Sequence, residues 1–345
     1  MTERPPTQRP LVTFALFAYN QEDYIREAIE GAFSQTYEPL EIILSDDCST
    51  DRTFEIMQEM AAAYEGPHRV ISRKNSSNIG TVDHLIAVSR EASGGLLIVA
   101  AGDDISKPER SAVLTAAWIA SGAMALYSGH ILIDDTGKPL STTEIIPPHA
   151  PTQKLFSGVS SPMRHNGVVR HVPGYSAAYD TEFFRNVPMS KNKSLNEDAL
   201  ATCLLNLNSF LIEQVASAEV FYRTSRTSAS SHQVNTDARD ILEAERRRVR
   251  FASSCVKFYP YLLELIDSSS ASTEDLARVR KRLKRRLKNY KIILITGRDG
   301  LLGRIGAARH VHGIKSCMTW VVRLAGPVFF SRAKSGALRL KLGQK

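Results

Sequence analysis

Short apolar runs alternate with helix-period stretches between residues 11 and about 121 of this 345-residue chain, and this rhythm is the strongest constraint on its fold. The apolar runs with the length of buried strands are residues 11–17, 41–45, 69–72 and 96–101. Each is followed by a stretch whose apolar side chains share one helical face, as Ile25, Ile29 and Phe33 do. Because strands and helices alternate at this spacing, we predict βαβ units in an α/β fold with a mostly parallel sheet flanked by helices.

The rhythm loosens after the fourth predicted helix. Two short apolar runs within residues 124–135 are predicted to form sheet edges. Residues 141–172 are rich in loop-forming residues, and a helix is predicted near residues 196–207. At the start of the fourth helix, the spacing of Ser106 and Glu109 predicts a capping box. We therefore expect a mixed sheet whose later elements are less regular.

A polar stretch near residues 235–240 separates the strand-bearing part of the chain from a helical, arginine-rich remainder. We predict a domain boundary there. The predicted organisation is a disordered N-terminus (1–10), one domain (11–235) with a first half (11–120) and a second half (121–235), and a helical, basic C-terminal region (240–345).

Composition excludes several classes of protein. Hydrophobic residues make up 43% of the chain and low-complexity tracts are absent, which argues against intrinsic disorder. The cysteines lie far apart without a Cys-x-x-Cys pair, which excludes a disulfide scaffold and argues against structural zinc. The sequence contains no signal-peptide pattern and no apolar run of about 18 residues or more. We therefore expect a cytoplasmic protein without a membrane-spanning helix.

The formal net charge of +8 is unevenly distributed along the chain. Residues 240–345 carry 24 Lys and Arg against 8 Asp and Glu, whereas residues 1–239 carry 20 against 28. Within the basic region, residues 278–291 are dense in Lys and Arg, with leucines close to one helical face. This pattern is compatible with a solvated helix docked on the protein and with a basic amphipathic helix on an anionic membrane surface. Nucleic acid is not an expected partner, because no set of stacking aromatic residues accompanies the charge.

Polar and acidic residues follow the predicted strands at the point where each strand ends. Because the carboxyl ends of parallel strands share one edge of a sheet, and ligands bind there, we expect these residues to lie together. They include two Asp-Asp pairs, Asp46-Asp47 and Asp103-Asp104. Loop and cap preferences explain any one cluster, but paired carboxylates repel each other unless they share a cation or a donor-rich ligand. A divalent cation bound together with substrate phosphate, Mg²⁺ or Mn²⁺, is the candidate.

Several stretches of the chain resemble the family 2 glycosyltransferases, which are inverting enzymes of the GT-A fold that use nucleotide sugars. The resembling stretches are residues 11–53, 78–80, 94–110, 174–187, 196–201 and 222–230. The resemblance implies a GT-A domain over residues 11–235. Its first half (11–120) is then expected to bind the nucleotide sugar and its second half (121–235) the acceptor.

The resemblance also implies which residues bind the donor. Asp47 corresponds to the aspartate that accepts a hydrogen bond from the base, typically uracil, and Tyr19 lies in the loop that meets the nucleotide. Arg223 and Arg226 lie where the family closes a loop over the diphosphate, although ordinary solvated loop arginines remain the alternative. The full set implied to bind the donor is Phe17, Ala18, Tyr19, Asn20, Asp47, Asn78, Gly80, Gly102, Asp103, Arg223 and Arg226.

Asp103 and Asp104 correspond to the second aspartate of the family's Asp-x-Asp metal motif and to the acid that follows it. The resemblance implies that they hold Mg²⁺ or Mn²⁺ on the diphosphate. The first aspartate of the motif is replaced by Ala101. This departure leaves two hypotheses open, namely a working transferase or a catalytically degenerate nucleotide-binding or scaffold protein on the same fold.

Asp198, with Glu197 beside it, corresponds to the acceptor-site acid that serves as the catalytic base. The alternative for this pair is an acid favoured by the helix dipole near a helix N-terminus. Inversion requires a base for the acceptor hydroxyl and positive charge where the diphosphate leaves. The resemblance implies transfer of one sugar, most often from a UDP-sugar, to a glycan or lipid-linked acceptor in bacterial surface polysaccharide synthesis. A peripheral location on the cytoplasmic face of the membrane is expected with such an acceptor.

Overall fold

The computed structural model describes residues 9–141, 172–190, 197–208 and 210–224, together with scattered helical positions between 253 and 291. The chain divides into two compact units, one of Met1–Ser231 with Ile266–Leu276 and the other of His232–Leu265 with Ala277–Lys345. The domain boundary near 235–240 and the disorder of residues 1–10 stay predictions.

The described part of the first unit alternates strands and helices from its N-terminal end. The strands are β1 (Val12–Ala18), β2 (Leu40–Asp46), β3 (Arg69–Lys74), β4 (Leu96–Ala101), β5 (Ile105–Ser106), β6 (Ala125–Ile133), β7 (Ala177–Asp180) and β8 (Ile212–Arg223). The helices are α1 (Ile25–Phe33), α2 (Thr53–Ala62), α3 (Thr81–Glu91), α4 (Arg110–Ser121), α5 (Glu182–Arg185) and α6 (Glu197–Leu207). A 3₁₀ turn, Gly174–Ser176, precedes β7.

These strands form one mixed sheet in the order β3-β2-β1-β4-β7-β6-β8-β5. Strands β3, β2, β1 and β4 are parallel to one another, and β7 is antiparallel to both β4 and β6. Strands β6 and β8 are parallel, and the two-residue strand β5 pairs antiparallel with β8. The predicted α/β architecture, a mostly parallel mixed sheet flanked by helices, is confirmed.

Strand β1 lies in the middle of the parallel half and is buried along almost its whole length. It is apolar apart from Thr13, as expected of a strand covered on both faces. Thr13 Oγ1 donates a hydrogen bond to Glu41 Oε1 at 2.9 Å, which satisfies the hydroxyl in the interior. Helix α1 buries Ile25, Ala28 and Ile29 in the same core. Burial of each isoleucine contributes about 1.5–3 kcal/mol.

Strand β6 corrects the prediction of sheet edges within residues 124–135. Ala125–Ile133 is one continuous strand that lies inside the sheet, between β7 and β8. Its register with β8 shifts on either side of Gly129. A glycine accommodates such a bulge and interrupts the apolar pattern without ending the strand. The prediction was wrong because an interrupted pattern looks the same in a bulged inner strand and in two edge strands.

The predicted capping box at Ser106 is also wrong. Ser106 lies in β5, and helix α4 begins at Arg110 with Glu109 at the N-cap position and no side-chain cap hydrogen bond. Ser106 Oγ instead accepts a hydrogen bond from Arg110 Nη1 at 2.9 Å. Arg110 is fully buried, and its Nη2 donates to Val99 O at 2.6 Å. The serine therefore satisfies a buried guanidinium rather than a helix end.

The second unit is helical at the positions that the structure describes, and these positions follow the predicted amphipathic pattern. Leu283 is buried and Leu287 half-buried, whereas Lys281, Lys284 and Lys288 are exposed. At these positions the leucine face is covered and the lysine face is open to solvent. In the described part of the chain, none of the helices has both the length and the apolar character needed to cross a membrane.

Candidate active site

The carboxyl ends of β1, β2 and β4 meet at one edge of the sheet and bring the loops that follow them together. Strand β1 lies between the other two. Main-chain hydrogen bonds extend the ladder into the loops, from Asp47 N to Ala18 O (2.9 Å) and from Gly102 N to Phe17 O (2.8 Å). Predicted donor-binding residues from three separate segments therefore lie on one rim.

Asn20 holds the loop after β1 against the loop after β2. Its φ of 52° is left-handed, a conformation that asparagine tolerates better than most residues. Asn20 N donates to Ser49 Oγ and Asn20 Oδ1 accepts from Thr50 N, both at 2.9 Å. The neighbouring Tyr19 is 46% exposed. The clamp thus presents the Tyr19 ring at the rim.

Asp47 is buried, and its carboxylate organises the loop between β3 and α3. Its Oδ1 accepts hydrogen bonds from Asn75 Nδ2 (2.8 Å) and Ile79 N (2.9 Å), and its Oδ2 accepts one from Gly80 N (2.8 Å). Gly80 has a φ of 85°, a region that favours glycine. Asn78 lies half-buried in the same loop. The aspartate predicted to bind the base therefore also shapes the loop around it.

A second layer beneath Asp47 contains Arg73 and His84, which were not predicted as site residues. Arg73 Nη2 donates to Asn75 Oδ1 (2.7 Å), and its Nη1 donates to Ser45 Oγ (2.6 Å). Ser45 Oγ, which accepts from Arg73, also lies 2.5 Å from His84 Nε2 and forms a hydrogen bond with the imidazole. Burial lowers the pKa of His84 to about 4, opposed by the charge of Asp47 and assisted by that of Arg73. Side chains alternate along a strand, so Arg73 and Asn75 lie on the same face. This spacing was the sequence signal that could have identified Arg73 as a site residue.

Replacing His84 with glutamine should make the stability of the protein less dependent on pH. The folded-state pKa of His84 is about 4, and an unfolded histidine has a pKa of about 6.5. Between these values only the unfolded state takes up the proton, so acidification favours unfolding. We expect a drop from pH ~7 to ~4.5 to cost the wild type about 2 kcal/mol more than His84→Gln. Urea unfolding at both pH values measures this, and equal losses in the two proteins would contradict a buried neutral imidazole.

Asp103 and Asp104 follow β4 and face different environments. Burial raises the pKa of the half-buried Asp103, opposed by a backbone hydrogen bond, the charge of Arg223 and a hydrogen bond from Gln21. Asp104 is buried, and this burial, together with the charge of Asp103, raises its pKa well above the usual range. Asp104 Oδ1 accepts a hydrogen bond from Arg223 N at 2.8 Å. A Cβ on Gly102 would lie 2.6 Å from Gln21 Oε1, so the turn packs closely against the loop after β1.

Arg223 was predicted to lie over the diphosphate, and the structure places its guanidinium in the interior. Its Nε donates to Asp103 O at 2.8 Å, and its Nη2 donates to Glu27 Oε2 at 2.6 Å. Arg226 lies outside the described residues. Contacts of both arginines with a diphosphate stay predictions.

Glu197 and Asp198 begin helix α6, where the helix dipole favours negative charge. Burial raises the pKa of Glu197, and the charge of Asp198 raises it further, against hydrogen bonds from its own backbone and from Thr81. Thr81 is the first residue of α3 and follows Gly80, whose N–H binds Asp47. The acid pair is thereby connected to the loop that surrounds Asp47.

The side chain of Glu197 packs against the 3₁₀ turn. A Cβ on Gly174 would collide with Glu197 Oε1 and lie 3.7 Å from Asp198 Cβ, so a glycine leaves the space that the acid occupies. Tyr179 on β7 is fully buried, and its burial and the charges of Glu197 and Asp198 raise the pKa of its hydroxyl. Sequence reasoning missed both neighbours, because nothing near Gly174 or Tyr179 in the chain indicates which helix they contact.

The ligands on the rim fit a hard divalent cation when the substrate supplies part of its coordination shell. Within the described residues, no group of three or more His, Cys, Asp or Glu side chains could hold a metal ion. Asp103 offers a half-buried carboxylate next to Asp104, whereas Ala101 offers none. Mg²⁺ is commonly bound by one or two carboxylates together with substrate phosphates and water. The residues present therefore fit a cation that binds together with a diphosphate.

Comparison with known proteins gives one family match. The model of the family described as glycosyl transferase family 2 matches residues 13–186, about half of the chain.

Curated relatives align over shorter stretches. An uncharacterized protein of Mycobacterium tuberculosis is 44% identical over 88 residues, which are 25% of this chain and 25% of that protein. The Escherichia coli UDP-Glc:alpha-D-GlcNAc-diphosphoundecaprenol beta-1,3-glucosyltransferase WfaP is 34% identical over 94 residues, 27% of this chain and 36% of that protein. The matched stretches thus span only a quarter to about a third of these relatives.

Among solved structures, a mannosyltransferase is similar over most of the chain. The mannosyltransferase PcManGT from Pyrobaculum calidifontis, in complex with GDP-Man and Mn²⁺, has a TM-score of 0.50 and 16% identity, covering 95% of this chain and 88% of that one. At this level of identity the likeness concerns the fold alone.

Proposed function

The chain belongs to glycosyl transferase family 2, and from this premise we propose that it is an inverting enzyme that moves one sugar from a nucleoside-diphosphate donor to an acceptor hydroxyl. The observation that carries the proposal is that the groups predicted to bind the donor and the acceptor are connected in one site. Asp47 and Asp103 follow strands that flank β1, and the Asp47 loop is hydrogen-bonded to Glu197 through Thr81. Asp198 lies beside Glu197.

For the donor we propose a UDP-sugar. Asp47, buried at the rim, would accept the N–H of a pyrimidine base, and the exposed ring of Tyr19 offers a surface for stacking. Gly80 and Asn78 shape the loop on one side of this position. The relative WfaP, whose name specifies UDP-Glc, supports the choice of uridine.

A bound Mg²⁺ or Mn²⁺ would supply positive charge to the leaving diphosphate. Asp103 would hold it, and Asp104, whose Oδ1 already accepts the N–H of Arg223, stays the predicted second ligand. Because burial raises the pKa of Asp103, its carboxyl releases its proton at a higher pH than a free aspartate. Occupancy by the cation should therefore fall on acidification.

Asp198 is the proposed base. It would take the proton of the acceptor hydroxyl as the hydroxyl oxygen attacks the anomeric carbon. Glu197, packed against Gly174 and hydrogen-bonded to Thr81, would hold the start of α6 in place.

The proposed acceptor is a glycan or lipid-linked glycan of a bacterial surface polysaccharide. WfaP supports this, since its name specifies an acceptor linked to diphosphoundecaprenol. A lipid-linked acceptor would place the enzyme at the cytoplasmic face of the membrane, where exposed lysines such as Lys281 and Lys284 would meet anionic headgroups. Flotation on anionic vesicles tests whether the basic C-terminal region binds the membrane. Flotation that persists after truncation at residue 240 would contradict this role.

A screen of nucleoside diphosphates tests the donor and the activity together. We expect UDP with Mn²⁺ to raise the melting temperature more than GDP or ADP with Mn²⁺, and UDP to be released slowly from a UDP-sugar when metal is present. UDP binding without turnover across a panel of donor sugars would favour the alternative, a catalytically degenerate nucleotide-binding or scaffold protein. The observation that favours this alternative is Ala101, which stands where the family's metal motif has its first aspartate.

A further inference from the structure

Arg223, the last residue of β8, places a guanidinium among main-chain carbonyls instead of in solvent. Nε donates to Asp103 O (2.8 Å), and Nη1 donates to Asp134 O (3.0 Å) and Asp135 O (2.9 Å). Nη2 forms an ion pair with Glu27 Oε2 at 2.6 Å. The side chain is 2% exposed. A buried guanidinium is stable only when such acceptors satisfy it, so these contacts fix its position.

These contacts join three segments that are distant in the chain. Asp103 belongs to the turn after β4, Glu27 to α1, and Asp134 to the turn after β6. The Arg223 main chain adds a second link to the acidic turn, because its N–H donates to Asp104 Oδ1. The guanidinium carbon also lies 4.7 Å from the centre of the Tyr24 ring, within range of a cation–π interaction.

The turn after β6 is itself ordered and provides a firm anchor. Asp134 Oδ1 accepts hydrogen bonds from Thr136 N (2.8 Å) and Lys138 N (3.0 Å). Gly137 has a φ of 79°, and a Cβ there would lie 3.3 Å from Glu27 Oε2. Arg223 therefore ties the carbonyl of Asp103 to a structured turn on one side and to a helix on the other.

We propose that Arg223 is a positioning residue that holds the main chain of Asp103 so that its carboxylate is aimed at the divalent cation, and that Arg223 does not bind the diphosphate. The proposal rests on the proposed function, since it takes Asp103 as the metal ligand. A guanidinium that contacted the diphosphate would have to leave four protein acceptors. Displacements of about 1 Å in a catalytic group can cost about 100-fold in rate, which makes such an anchor consequential.

The test measures binding rather than turnover. UDP is titrated into the wild type and Arg223→Gln by calorimetry, once in EDTA and once in MnCl₂. We expect the two proteins to bind UDP with equal affinity in EDTA. In MnCl₂ the increase in UDP affinity should be smaller in Arg223→Gln by at least about tenfold, equivalent to about 1.4 kcal/mol. Arg223→Lys, which keeps the charge but not the fork of donors, should recover only part of that enhancement.

Two outcomes would overturn the inference while leaving the proposed function intact. One is a marked loss of UDP affinity in EDTA, which would indicate direct contact with the diphosphate. The other is an unchanged enhancement by Mn²⁺. If Mn²⁺ does not change the UDP affinity of the wild type, the proposed metal site is wrong, and this inference is wrong with it.

Two further variants separate positioning from general destabilisation. Glu27→Gln removes the charged partner of Arg223 and, like Arg223→Gln, should reduce the increase in UDP affinity that Mn²⁺ causes. If Arg223→Gln does not fold, this variant tests the inference in its place. Arg185→Gln is the matched control. Arg185 is part-buried and donates to Ser89 O and Ala92 O near the start of β4, at the opposite end of the strand. Its loss should lower stability and leave the enhancement by Mn²⁺ unchanged.

Discussion

Replacing Asp103 with asparagine is expected to reduce metal-dependent sugar transfer by about 1000-fold, an effect of about 4 kcal/mol on the transition state. The amide keeps the size of the side chain but lacks the negative charge that a hard cation requires. The half-buried position of Asp103 strengthens the effect, because water screens the lost interaction poorly there. Release of UDP from a UDP-sugar, measured over a range of MnCl₂ concentrations, gives the loss directly.

Asp23→Asn is the matched control for this substitution. Asp23 is an exposed acid in the loop after β1, and its replacement changes the net charge equally. We expect this variant to retain wild-type metal dependence. If Asp103→Asn keeps more than about a tenth of the wild-type rate at saturating Mn²⁺, less than about 1.4 kcal/mol has been lost and Asp103 is not the principal ligand.

Asp198→Asn is expected to reduce transfer by about 10²–10⁴-fold, the usual contribution of a general base. Nucleotide binding should stay unchanged, since Asp198 lies on the acceptor side of the proposed site. The fold should tolerate the change, because Asp198 Oδ1 accepts a hydrogen bond from Ala199 N at 2.6 Å and an asparagine oxygen can do the same. Initial rates and UDP titrations on the same preparation separate the two effects.

Glu197→Gln tests which of the two adjacent acids is the base. Glutamine keeps the shape that packs against Gly174 and an oxygen for the hydrogen bond with Thr81. We therefore expect a much smaller loss than in Asp198→Asn. The reverse ranking of the two variants would transfer the role of base to Glu197. Glu213→Gln, a charge change at the far end of β8, should leave both rates unaffected.

The parallel half of the sheet and the location of the rim were predictable from residues close together in the chain. Strands β1, β2 and β4 each contain a short apolar run, and helices α1 and α2 carry their buried residues at helical spacing. Since parallel strands end at one edge, the shared rim location of Asp47 and Asp103 followed as well. Their ligands and chemical roles did not follow from this pattern and stay proposals.

The α/β class, the polar rim and the resemblance to a glycosyltransferase family all follow from the order of the amino acids. The inner position of β6, the packing of Glu197 against Gly174 and the inward turn of Arg223 to Asp103 and Glu27 are visible only in the folded chain. The reason is the range of the interactions. Periodicity reports the burial of neighbouring residues, whereas Arg223 and Glu27 are 196 positions apart. They meet because β5, which comes directly after the turn that follows β4, pairs with β8 and lies against α1.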